Sequence, residues 1–254
     1  MTRRIVAVVL PPLVGAAVLV VVWQIVAASD SYVLPRPGTV ASQLGSHAGT
    51  YLSAAGTTLE EAMGGLAAGG AAALGLALLM AQWRVVRRAV LPLALLANVT
   101  PIVALAPALI VAFGFGLAPK MVVTALMCFF PALINAVAGL GSADPALLEV
   151  LAVLHASPRE VLWRVRVPSS LPYLFVAARI CFPLSVIGAV VAELVSPGSS
   201  SGLGTLIEQA ATDAQLDRVY AAVVCLGVIG VALTGLVALA ERRVLSWRQA
   251  DRPR

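Results

Sequence analysis

Residues 141–172, GSADPALLEVLAVLHASPREVLWRVRVPSSLP, form the longest polar interruption in the second half of an otherwise strongly apolar chain. They read as two short helices joined by a turn. In the first, around Asp144 to Leu154, apolar Leu147, Leu148, Leu151 and Leu154 recur at helical spacing. The second opens Ser157-Pro158-Arg159-Glu160, a capping box with proline at the first helical position. The serine hydroxyl accepts a free amide and the glutamate reaches back. A capped helix pair held outside the bilayer between two spans is built to touch something.

The rest of the chain supplies those spans. Of 254 residues, 60% are hydrophobic and 11% are charged, against roughly 25% charged in soluble domains. Such a chain cannot cover a water-facing surface, so one integral membrane domain (1–254) is expected, all-α, with no separate soluble enzyme. Six transmembrane helices are countable near 5–28, 62–82, 89–115, 119–140, 172–195 and 218–240, each near the ~20 residues needed to cross the hydrocarbon core. The polar loop then occupies 141–171. Residues 1–28 imitate a signal peptide, but the apolar run from Ile5 to Ala28 exceeds a signal h-region. A retained anchor is expected.

Charge sets the orientation. Thirteen arginines fall on one side: Arg3 and Arg4; Arg84, Arg87 and Arg88; Arg159, Arg164 and Arg166; Arg242, Arg243, Arg248, Arg252 and Arg254. The other side holds Arg36, Lys120 and Arg218. The positive-inside rule puts both termini and the helix pair in the cytoplasm. The same distribution argues against nucleic acid as the reason for the net charge of +5. Cys128, Cys181 and Cys225 lie in apolar segments and read as small hydrophobes.

Few residues offer chemistry. No G-x-x-x-x-G-K-[ST] occurs, and Gly114 to Lys120 (GFGLAPK) lacks the second glycine and the hydroxyl residue. Only His47 and His155 are present, so there is no H-E-x-x-H zinc motif. No catalytic residue, metal site or cofactor is expected in this chain. Span three carries Pro92, Pro101 and Pro107. Carbonyls freed by proline are tolerated at membrane depth where protein or a water-lined cavity satisfies them, which makes this span a candidate pathway wall. Asn98, Thr100 and Pro101 at its kink, with Asn135 in span four, either bond between helices or meet the solute. Glu193, near the outer end of span five, gates the mouth, orients a neighbouring helix, or caps the span. Glu60 and Glu61 are placed at the outer entrance of span two, facing headgroups. Gly65 and Gly69 have the G-x-x-x-G spacing of close helix contact, within the chain in preference to between subunits. Residues 196–217 read as a Gly/Ser turn followed by a short helix with Leu203, Leu206, Ile207 and Ala210 on one face.

The polar loop resembles the cytoplasmic coupling loop of permeases of ATP-binding-cassette importers, E-A-A, three residues, G, nine residues, I-x-L-P. Here Glu149-Val150-Leu151, His155 and Val165-Arg166-Val167-Pro168 occupy those positions. The spacing is kept, while both alanines and the glycine are replaced. The whole chain is similar to the nitrate/sulfonate/taurine permease group. Trp23, Leu34-Pro35-x-Pro37, Ala106-Pro107 with Phe113-Gly114, Phe130-Pro131, Ala192-Glu193, Ser201-Gly202-Leu203-Gly204, and Glu241-Arg242-Arg243 with Trp247-Arg248 follow in the family's order.

The resemblance implies a type I importer of the bacterial cytoplasmic membrane. Two permease subunits would form the pathway, most simply a homodimer. Separate ATPase subunits would hold ATP and magnesium, and an extracytoplasmic binding protein would deliver a sulfonate-, taurine- or nitrate-like solute, or a pyrimidine or riboflavin precursor. It implies ATPase coupling through Glu149, Leu151, His155, Ala156, Ser157, Pro158, Glu160 and Pro168. The alternative is an ion-coupled secondary transporter. That class needs paired ionisable groups near mid-membrane, and Glu193 and Arg179 stand about 21 Å apart on a straight helix.

Overall fold

The computed structural model describes residues 2–29, 34–99, 101–195 and 201–246. Its regular elements are helical throughout: α1 (Thr2–Ser29), α2 (Pro37–Ser46), α3 (Ala48–Gln82), α4 (Arg84–Val99), α5 (Ala106–Phe113), α6 (Leu117–Leu140), α7 (Pro145–Val153), α8 (Pro158–Val161), α9 (Val167–Val195), α10 (Leu203–Thr212) and α11 (Leu216–Val244). A 3-10 turn covers Ile102–Leu105, and a π turn, Leu162–Arg166, joins α8 to α9. Among the described residues, four helices are long and apolar enough to cross a membrane: Ala48–Gln82, Leu117–Leu140, Pro158–Val195 and Leu216–Val244. Val14–Ser29 and Ile102–Phe113 are shorter apolar helices at the places expected for spans one and three.

Three expectations change. Span three is broken: α4 ends at Val99, and the chain restarts through the 3-10 turn into α5. Pro101 precedes that turn and Pro107 sits at the start of α5, and neither can donate the amide a continuous helix needs. Span two begins well before residue 62, because α3 starts at Ala48 and contains Glu60 and Glu61. Span five, expected from 172, belongs to a helix of 38 residues running from Pro158 to Val195. At 1.5 Å per residue that rod is about 57 Å long, against a hydrocarbon core of about 30 Å.

The π turn explains how this rod passes Pro168. Proline cannot donate to the carbonyl four residues back, and its ring crowds that carbonyl. Just before it, the Val167 amide bonds to Leu162 O, five residues back. One widened turn takes up the proline and the helix continues. The second helix of the polar loop is therefore the root of a span, not a separate piece.

The centre of the bundle is α3 against α6, with α9 closing the group. Small residues bring these backbones together. A Cβ on Gly65 would meet the Thr124 side chain, and one on Gly69 would fall on the Ala125 backbone. On α9, Gly188 lies against Thr124. The G-x-x-x-G pair thus serves an intrachain contact, where packing holds helices together in lipid. At the loop end, Ala73, Met80, Leu133, Leu140 and Leu162 form one buried cluster. At the opposite end, Val40, Tyr51, Leu203 and Ala221 form another, with Trp23 against it. There Trp23 Nε1 donates to Pro35 O at 3.0 Å, and Gln43 Nε2 donates to Asp217 Oδ2 at 2.7 Å. These two bonds tie α1 to the Pro-rich link and α2 to α11.

Gly69→Val is expected to force α3 from α6 and to cost about 1–3 kcal/mol, the usual overpacking penalty. Gly70→Ala, where the new methyl meets nothing within 4 Å, is expected to keep stability or raise it by up to about 1 kcal/mol. Thermal melts of the purified variants in detergent check the contrast.

Candidate functional site

Two sites occupy opposite ends of the bundle. At the loop end, Asp144 caps α7, its Oδ1 accepting the Ala146 amide at 2.9 Å. The Ser157 capping box is complete: Ser157 Oγ accepts the Glu160 amide at 3.3 Å, and Glu160 Oε2 accepts the Ser157 amide at 3.0 Å. Between the helices, His155 takes φ 54°. The Ala156 amide bonds to Leu151 O and the His155 amide to Ala152 O. This is a Schellman closure, which puts a left-handed residue just past the helix end. Histidine therefore stands where the coupling pattern has glycine, and keeps the glycine's backbone shape. Glu149, His155, Ser157, Pro158, Glu160 and Pro168 are exposed, while Leu151 and Ala156 are half-buried.

The apolar face of α7 divides in a way its sequence does not show. Leu148 and Leu151 turn partly inward, whereas Leu147, Val150, Val153 and Leu154 face out. Val153 is 77% and Leu154 69% exposed, and Trp163 stands out beside the π turn. A rigid, capped knuckle thus presents an apolar patch rimmed by charge.

At the opposite end a buried polar cluster joins four helices. Glu193 on α9 is fully buried. Its Oε1 accepts Thr58 Oγ1 at 2.7 Å, and its Oε2 accepts the amides of Gly204 and Thr205. Thr58 Oγ1 in turn accepts the Leu203 amide at 2.8 Å. The start of α10 is thereby fastened to α3 and α9, with a carboxylate at the positive end of the helix. Gly202 and Gly204 permit the approach, since a Cβ on either would collide with the Glu193 carboxylate. One turn along α3, Glu61 is also fully buried and pairs with Lys120 Nζ of α6 at 3.1 Å.

Glu193, expected to gate the mouth, orient a neighbouring helix or cap the span, here holds the start of α10. The sequence misplaced Glu61 and Lys120: Glu61 does not face headgroups, and Lys120 is not in an exposed outer segment. The one available signal was the Thr58/Glu61 spacing, which puts both residues on the same face of a helix. Arg179, considered against Glu193, pairs with Glu241 of α11. Glu61 and Lys120 thus form a buried ionisable pair that the sequence did not reveal, and family membership separates the two transport classes.

Of the remaining pathway candidates, the structure describes the side chains of Pro101 and Asn135. Asn135 Nδ2 donates to Pro131 O at 2.8 Å within its own helix, a local bond in place of the expected interhelical one. Pro101 is exposed at the α4–α5 break. The turn after it does approach the Glu193 end, because Ile102 joins the cluster containing Ala192. Thr100 and Trp247-Arg248 lie outside the described residues, as does the side chain of Asn98. Cys128 and Cys181 are free and buried, each thiol directed at the other's carbonyl.

The bundle thus carries a projecting capped helix pair at one end and an acid-anchored helix at the other. The family model for the inner membrane component of binding-protein-dependent transport systems matches residues 65–246. The chain belongs to that family, whose fold is the type I transmembrane domain, and it is an importer permease. A probable ABC transporter permease of Haemophilus influenzae is 36% identical over 227 residues, covering 88% of this chain and 92% of the relative. A formylaminopyrimidine transport permease of Halalkalibacterium halodurans is 31% identical over 243 residues, 94% of this chain and 96% of its own. A putative aliphatic sulfonates transport permease of Bacillus subtilis is 35% identical over 150 residues, 59% of this chain and 54% of its own.

Lys120→Met leaves the buried Glu61 carboxylate without its lysine and is expected to cost about 3–5 kcal/mol. The double variant Glu61→Gln/Lys120→Met should recover most of that loss. Denaturation of the two single variants, the double variant and the parent gives the coupling energy. His155→Gly is expected to preserve or raise thermal stability, because glycine takes φ > 0 without the roughly 1–2 kcal/mol left-handed penalty.

Proposed function

We propose that the chain works as one of two identical permease subunits, driven by separate ATPase subunits that bind ATP with magnesium and grip residues 144–168. The observation that carries this reading is the outward patch of Leu147, Val150, Val153 and Leu154 on a knuckle capped at both helices. Exposed apolar side chains set on a rigid element mark a protein contact. Because α8 continues through the π turn into α9, movement of the knuckle becomes movement of a span. Glu149, exposed on α7, supplies a charged rim to the contact.

The same reading puts six spans in the bacterial cytoplasmic membrane, with both termini and the knuckle inside, as the arginine distribution requires. The α10 end then faces outward, where an extracytoplasmic binding protein releases solute. α10 rests on Glu193, Thr58 and two glycines, so its position depends on a few directed bonds at the mouth. Similarity to the formylaminopyrimidine permease runs along nearly the whole chain, whereas similarity to the sulfonate permease covers little more than half of it. A small heteroaromatic precursor is the solute class taken for the test below, a sulfonate being the other class carried by a relative of similar identity.

Glu149→Arg is expected to reduce uptake to background while the folded permease stays in the membrane. Uptake of a radiolabelled aminopyrimidine by cells carrying the complete importer, with immunoblotting of membrane fractions, checks it. Wild-type uptake in that variant contradicts the coupling role.

A further inference from the structure

We infer that the loop end carries a binding site for one anionic phospholipid, with its phosphate among Arg87, Arg159 and Arg166. A cavity of about 720 Å³ lies between the ends of α3 and α6, the start of α4 and the helix pair. Those three arginines line it, no carboxylate does, and among the described residues none of the three is in an ion pair. Three guanidiniums on the wall of one cavity, with no carboxylate among them, make a basic concavity, and the arginine fork is matched to phosphate oxygens.

The remaining walls select a lipid over a free anion. Met80, Leu140 and Leu162 line the inner part of the cavity. Trp83, half-exposed where α3 ends, lies on the rim, the usual level of an interfacial aromatic. Arg87 also lines a second cavity of about 440 Å³ with Arg88 and Leu91, so the basic lip continues along α4. Farther along α4, Leu93 and Leu96 are exposed and offer an apolar track for acyl chains. A basic pocket between membrane helices at headgroup level is the setting in which acidic lipid headgroups bind. The volume falls in the range of small-ligand pockets. A phosphate held there bridges α4 to α8 and the π turn, and so braces the knuckle against the bundle.

The test uses the full chain in phosphatidylcholine nanodiscs with and without phosphatidylglycerol. Arg87→Gln/Arg166→Gln is compared with Arg242→Gln/Arg243→Gln, which removes the same charge elsewhere. Phosphatidylglycerol is expected to raise the melting temperature of the parent and of the Arg242/Arg243 variant by at least ~3 °C. The Arg87/Arg166 variant should lose that rise and retain about tenfold less phosphatidylglycerol in native mass spectrometry. A photoactivatable phosphatidylglycerol on the unmutated chain, independent of how the variants fold, should label peptides 80–91 and 156–166. Equal loss in both variants, or labelling spread over all basic segments, overturns the site in favour of diffuse attraction. A lipid response unchanged in the Arg87/Arg166 variant, with ATPase co-purification lost, overturns it in favour of an acidic protein partner.

Discussion

Burying a carboxylate costs several kcal/mol unless donors meet its oxygens, and Glu193 is met from two sides. Thr58 gives its hydroxyl to one oxygen, and the first amides of α10 give theirs to the other. That arrangement fixes where α10 begins, and α10 in turn rests on α9 and α11. It also explains why glycine stands at 202 and 204, since a methyl at either position would occupy the space of the acid. The Glu61–Lys120 pair one turn away fixes α3 against α6 where Gly64 and Gly65 bring the backbones close. Small residues set the distance between the helices and directed charges set their register.

The two ends of the molecule are joined by continuous helices. α9 carries Glu193 near one end, and through the π turn it becomes α8 and the knuckle at the other. A displacement imposed on the knuckle is therefore applied directly to the helix that anchors α10. Switching of this kind needs a packed, bistable interface and not a soft one. The break at Pro101 sits beside the Ala192 cluster, where a span made of two short helices can shift without deforming the three-helix centre.

Local chemistry was legible in the sequence. The Ser157 box and the α10 face depend on neighbours a few residues apart, and each appears where its pattern puts it, whereas the prolines of span three signalled a kink where the structure has a break. His155 was legible as a glycine substitute because the loop's resemblance to the coupling pattern set it at the glycine's place, and its φ of 54° is the backbone shape a glycine would take there. What was hidden depends on three dimensions. Glu61 and Lys120 are charges that a hydropathy window pushes outside the membrane, and their approach across two helices is not visible in the sequence of either. α7 is apolar on nearly every side, so the helical spacing of Leu147, Leu148, Leu151 and Leu154 does not show which of them turn inward. The length of α3 and of the Pro158–Val195 rod was hidden for the same reason: hydropathy marks the lipid-crossing middle of a helix and not its ends.

The account stands on the knuckle being gripped by an ATPase. The most direct measurement places a single cysteine at Val153, in a background lacking the three native cysteines, and cross-links it in membranes containing the complete importer. The account predicts a cross-link to the ATPase subunit whose yield changes when ATP is added, and protection of Cys at that position from a membrane-impermeant maleimide applied to intact cells. Labelling from outside the cell, with no cross-link to the ATPase, contradicts it.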